Sequence, residues 1–152
     1  MFQTLTLYHS WLRWLILAFL LYAIYRSWRG IKTKSPFSKT DNFFRHWTAT
    51  LFHIQLIIGI ILYVKSPMIS YFWDNFSEAI QHIEIAFFGL IHMLLMICVI
   101  VMITIGSALA KRRQTDLEKF KTMLWWFGIA LIILLIAIPW PFSPFAHRPF
   151  FR

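Results

Sequence analysis

The chain carries six histidines in 152 residues, and two of them stand where a histidine is least at home. His53 and His92 lie well inside two separate apolar stretches. An ionisable ring in hydrocarbon is unfavourable enough that it normally faces a bundle interior and serves a function there. Helical rise places His53 about 16 Å from the outer end of its stretch near Val64, and His92 about 13 Å below the start of the next near Ile83. The two depths agree within the uncertainty of the ends. The spacing therefore predicts that both rings reach one object from opposite sides, in the outer half or middle of a bilayer.

The neighbours of these rings extend the pattern. His46, Ala49, Thr50 and His53 share one face of a helix, and Ile85, Phe88, Gly89, His92 and Met96 share another. Gly89 leaves open space one turn from His92, room for a flat macrocycle or equally for a neighbouring helix packed through a small residue. A second constellation sits nearer the outer surface. His9 and Arg13 are four residues apart on one face, and His82 and Glu84 open the next histidine-bearing helix at similar depth. The Arg13 guanidinium suits a bidentate carboxylate such as a haem propionate. The alternative is an Arg13–Glu84 ion pair between helices, with His9 and His82 merely wetted. His46 reads as interfacial. His147 is open to roles from a solvated side chain to a ligand folded back over the bundle.

The elements that must position these residues are membrane helices. The composition is 59% hydrophobic and 14% charged, with a mean hydropathy of +0.64, which is that of an integral membrane protein. Four stretches, 5–25, 46–64, 83–110 and 122–139, approach or exceed the roughly 20 apolar residues a crossing needs. They nearly exhaust the chain, so the expected architecture is all-α: a single four-helix transmembrane bundle with an outer tail at 140–152. The net charge of +9 is not spread as a nucleic-acid interface would need. Arg26, Arg29, Lys32, Lys34, Lys39 and Arg45 crowd the first connection, and Lys111, Arg112, Arg113, Lys119 and Lys121 the third. The middle connection has Lys65 against Asp74, Glu78 and Glu84. By the positive-inside rule the first and third connections are cytoplasmic and both termini lie outside. The expected setting is a bacterial inner membrane, with anionic lipid meeting the basic loops and no nucleic acid as partner.

Other chemistries find no residues to carry them. The first stretch has no basic leader region and no small-residue cleavage pattern, and reads as a retained helix. Cys98 is alone, which excludes an internal disulfide and a C-x-x-C-H haem attachment. No phosphate-binding glycine loop, nucleophile motif or metalloprotease signature occurs. The tryptophans sit mostly near span ends, as interfacial belts do. The tail from Pro139 is rich in proline and aromatic residues and is expected to lie along the outer interface or dock on a partner.

Arg45-His46-Trp47-Thr48-Ala49 with Gly59 further on resembles the opening helix of the bacterial di-haem and nickel-hydrogenase b-type cytochrome family, whose pattern is R-x-x-H-W-x-x-A; here the spacing is R-H-W. Phe88 to His92 and Tyr8-His9-Ser10-Trp11 are similar to segments of small cytochrome-b-like and copper-resistance-D-like membrane proteins. The resemblance covers roughly the first 110 residues. It implies a four-helix bundle carrying b-type haem with axial histidines from different helices, and it nominates His46. The first expectation is therefore a haem b electron carrier exchanging electrons with quinone. His53 and His92 would ligate one haem, His9 and His82 a second, with Arg13 as the propionate partner. Bis-histidine ligation closes the iron to oxygen chemistry. An accessory subunit of a larger membrane complex is the alternative, and copper handling by His92, Met93 and Met96 a further one.

Overall fold

The fold is described from a computed structural model, for residues 2–146 and 148–149. Seven α-helices occur in the order α1 (Phe2–Thr33), α2 (Lys39–Lys65), α3 (Pro67–Asp74), α4 (Phe76–Ala79), α5 (Ile83–Ala86), α6 (His92–Arg112) and α7 (Asp116–Ala137). A π turn, Phe87–Ile91, joins α5 to α6, so Ile83–Arg112 is one continuous crossing. Four helices are thus long and apolar enough to span a membrane, and no strand occurs among the described residues. The bundle expectation holds, with crossings longer than the apolar stretches alone.

The two hairpins on the basic side are fixed by one device used twice. Ser38 starts α2 with a capping box in which its side chain and that of Asp41 each satisfy the other's backbone N–H. Thr115 and Glu118 do the same for α7. Arg26 of α1 donates from Nε to Asp41 at 2.8 Å and from Nη2 to Ser38, tying the end of α1 to the start of α2. Nearby, Arg45 is almost fully buried, and its Nη1 donates to the carbonyl and the hydroxyl of Ser107 at 3.0 and 2.7 Å. α2 and α6 are joined there through a charged group whose donors are met.

Around the bundle, α1 packs on α2 and α7, and α6 packs on α2 and α7, which leaves α1 and α6 across the diagonal. The core between them is apolar: Ile16, Leu20 and Ala23 of α1, Phe52 of α2, Val99 and Ile103 of α6, and Phe127, Ala130 and Leu134 of α7. Close helix approach comes from small residues. A Cβ on Gly106 would strike Trp126, and one on Gly89 would fall 2.5 Å from the Phe72 ring of α3. At the far end α3 to α5 form a cap, closed by Phe72, Ala79 and Ala86. The tail folds back over that cap. Phe145 stacks on Phe87 at 5.9 Å, Trp140 meets Trp14 edge-on at 5.9 Å, and Arg148 pairs with Glu84 while lying over Phe88. The acid expected opposite Arg13 is thereby taken by a tail arginine.

Candidate functional site

The register of α2 against the third crossing decides which histidines meet. The Tyr63 hydroxyl donates to the Gly89 carbonyl at 2.7 Å, and the Trp73 indole donates to that hydroxyl at 2.9 Å. Tyr63 is therefore level with Gly89, not with Glu84, and the first turns of the third crossing rise beyond α2 into the cap. Every depth counted from the two span ends is shifted by about five residues, or about 7.5 Å. This slip overturns the matched level of His53 and His92.

His53 instead meets Thr104, with Nε2 3.0 Å from Oγ1. On this register His53 is level with Val99, seven residues or about 10 Å beyond His92, and its ring reaches further on to Thr104. The His53 ring thus points away from His92, and one iron does not reach both. The hydroxyl proton of Thr104 goes to the Ile100 carbonyl at 2.7 Å, so Thr104 receives its bond from a protonated Nε2 of His53. The nitrogen an iron would need is already occupied. His53 is exposed on the lipid side of the α2–α6 seam. His46 is exposed beside Trp47, and His82 is exposed as the residue that caps α5. Among the described residues, neither is hydrogen-bonded or ring-stacked to another histidine as a second haem pair would require. Gly89 gives its space to Phe72, so no macrocycle lies over it. His147 lies outside the described residues.

The histidine within electrostatic reach of His92 is His9, and Arg13 lies within the same reach of both rings. The register explains it: His92 sits three residues below Gly89, hence level with Ile60, and a Cβ on neighbouring Gly59 would lie 3.5 Å from Cε1 of His9. The two rings come from α1 and α6, the diagonal helices. Gln55 donates to the His9 carbonyl at 3.0 Å, and Arg13 reaches the Ser10 hydroxyl at 3.4 Å. Two buried atoms in this layer have no hydrogen-bond partner, His9 Nδ1 and Gln55 Oε1.

The orientation of His92 has a cause in the sequence of α7. In an α-helix the N–H of residue i bonds the carbonyl of i−4. Pro139 and Pro141 have no N–H, so the carbonyls of Leu135 and Ala137 lose their backbone donors. Two side chains replace them: the Trp140 indole donates to Leu135 O, and His92 Nδ1 lies 2.8 Å from Ala137 O. A carbonyl only accepts, so Nδ1 carries the proton and Nε2 keeps a lone pair. A ring nitrogen donating to a backbone carbonyl while the other stays basic is the usual arrangement of a metal-ligating histidine. The π turn immediately before His92 delivers the ring here; its closing bond runs from His92 N to Phe87 O. Such turns occur often at functional sites.

Of the other candidates, Met96 packs against the apolar core, and no group of three or more His, Cys, Asp or Glu side chains able to hold a metal ion occurs among the described residues. Sequence reasoning placed His9 at the outer surface and missed Gln55 and Gly59 as its neighbours. The signal that was available is the proline pair, which announces two orphan carbonyls. Compared with known families, with curated proteins and with solved structures, the chain matches none.

Proposed function

We propose that the protein is a membrane-embedded electron carrier whose cofactor site is the His9–His92 pair. The observation that carries this reading is that two imidazoles from diagonal helices lie within electrostatic reach of each other, one with Nε2 left basic by its bond to Ala137 and the other with a buried, unpartnered Nδ1. Cofactor sites in helix bundles are built in this way, from side chains on facing helices. The donor set suits b-type haem: His9 and His92 would hold its iron and Arg13 would meet its carboxylates. When bound, haem b would supply a one-electron couple. The chain's own residues do the rest. Ala137 fixes the His92 tautomer, Gln55 holds the backbone at His9, and Phe145 on Phe87 closes the outer end against water. Excluding water while keeping a cation near is how a protein sets a redox potential.

A membrane-soluble quinone suits the role of redox partner. A cleft of about 360 Å³ opens on the α1–α2 face, lined by Tyr8, Trp11, Leu12, Leu15 and Ile58. Tyr8 and Ile58 are chain neighbours of His9 and Gly59, so an apolar ring lodged there stands beside the site. Expressed with haem supplied and purified in detergent, the protein is expected to show the Soret and α bands of low-spin haem b on reduction. His9→Ala and His92→Ala should each abolish the low-spin spectrum, whereas His53→Ala should retain it. A colourless wild-type protein would sink the reading and leave an accessory subunit with a structural histidine layer.

A further inference from the structure

A second site lies at the opposite, basic end of the bundle. A cleft of about 330 Å³ opens between the start of α2, the end of α6 and the first turns of α7, lined by Phe37, Ser38, Lys39, Asn42, Ala110, Lys111 and Lys119. Three lysines border it. Lys119 is partly neutralised by Asp116 at 3.1 Å and lies over the Phe37 ring, but no carboxylate pairs with Lys39 or Lys111 among the described residues. Asn42 adds a donor rather than an acceptor, because its Oδ1 already receives Nε and Nη2 of Arg45 at 3.1 and 2.9 Å, which leaves its NH2 group to the cleft. Ser38 is consumed by its capping box. The side-chain groups left to a ligand are therefore donors, most of them cationic, and the positive pole of α2 adds to them.

Depth narrows the ligand class. Lys39 lies seven residues before His46, where the apolar stretch of α2 begins, or about 10 Å outside the hydrocarbon. That is just outside a headgroup layer about 5–7 Å thick, which a lysine side chain reaches back into. Basic pockets between helices at this level hold anionic lipid headgroups.

We propose that this cleft is a binding site for a phosphate group, carried by an anionic phospholipid or free in solution, with Lys39 and Lys111 as its charge partners and Asn42 as a neutral donor. The proposal is independent of the histidine site. Native mass spectrometry of the full chain in detergent tests it, with phosphatidylglycerol and phosphatidylcholine as probes. Phosphatidylglycerol should bind in preference to phosphatidylcholine. Lys39→Gln with Lys111→Gln should weaken its binding about thirtyfold, since two lysine contacts to an anionic headgroup are lost. Lys34→Gln with Lys121→Gln removes the same charge outside the cleft and should change binding little. Lys39→Arg with Lys111→Arg should restore it and guards against misfolding of the glutamine pair. Inorganic phosphate distinguishes the sources: competition at millimolar concentration marks a free-phosphate site, and failure to compete marks a lipid site. Equal losses in the cleft and control pairs, or no preference over phosphatidylcholine, would overturn the proposal in favour of a diffuse basic surface.

Discussion

At the scale of single residues, the six histidines divide by what their nitrogens already do. His92 satisfies a carbonyl that proline has orphaned, so removing the ring leaves a buried acceptor unmet. His92→Ala is expected to lower stability by about 1–3 kcal/mol even without cofactor, read as thermal unfolding followed by circular dichroism in detergent. His53 bridges to Thr104 at a lipid-facing seam, where such bonds average about 0.6 kcal/mol, and His53→Ala should cost correspondingly less. Equal losses would mean that the Ala137 bond is not made in solution. Arg45 is the counter-example to the idea that a polar group in a membrane helix marks a site. Its Nη1 and Nη2 both donate to residues of its own bundle, which makes it a structural strut between α2 and α6. None of these assignments followed from residue type. Each depended on which partner the register brought opposite.

At the scale of elements, α7 and the π turn act as one device. Pro139→Ala with Pro141→Ala would let α7 run on and bring an N–H to the position from which a helix bonds Ala137, so that the backbone competes with His92 for one carbonyl. The expected result is a mixture of His92 tautomers, visible in side-chain ¹⁵N shifts of histidine-labelled protein; an unchanged Nδ1–H signal would show that the prolines are incidental. The contact of α3 with the π turn gives a second test. Gly89→Ala would push into Phe72, whose side chain is fully buried, and overpacking of that kind is destabilising by about 1–3 kcal/mol. Because Tyr63 also bonds the Gly89 carbonyl, the damage should extend to the register itself. A His9-dependent spectrum altered by Gly89→Ala would display that coupling.

At the scale of the whole molecule, the crossings were legible in the sequence because hydropathy is additive over about 20 residues and needs no partner. Their ends were less so. α1 runs on through Arg26 to Thr33 because residues past the hydrocarbon edge stay helical when α2 packs against them and Arg26 reaches Asp41. The depth of His53 relative to His92 was not legible at all. Relative depth is a property of two helices, set here by Tyr63 on Gly89, and neither residue stands out in an apolar run. Orientation in the membrane follows from the loop charges alone: reporter fusions after Lys39 and after Thr115 should read cytoplasmic, and one after Asp74 external. The opposite pattern would put the histidine layer near the cytoplasmic face and the lysine cleft outside, with both sites otherwise intact.

The bond from His92 to Ala137 also orders events during biogenesis. The imidazole enters the bilayer with the third crossing, while the carbonyl that fixes its proton belongs to the fourth and is not yet synthesised. Until α7 arrives, Nδ1 and Nε2 are interchangeable and the ring is free to turn. If the proposed site holds a cofactor, its loading is then a late step that reports completion of the bundle, and a nascent chain stalled before α7 would carry both histidines without the fixed tautomer.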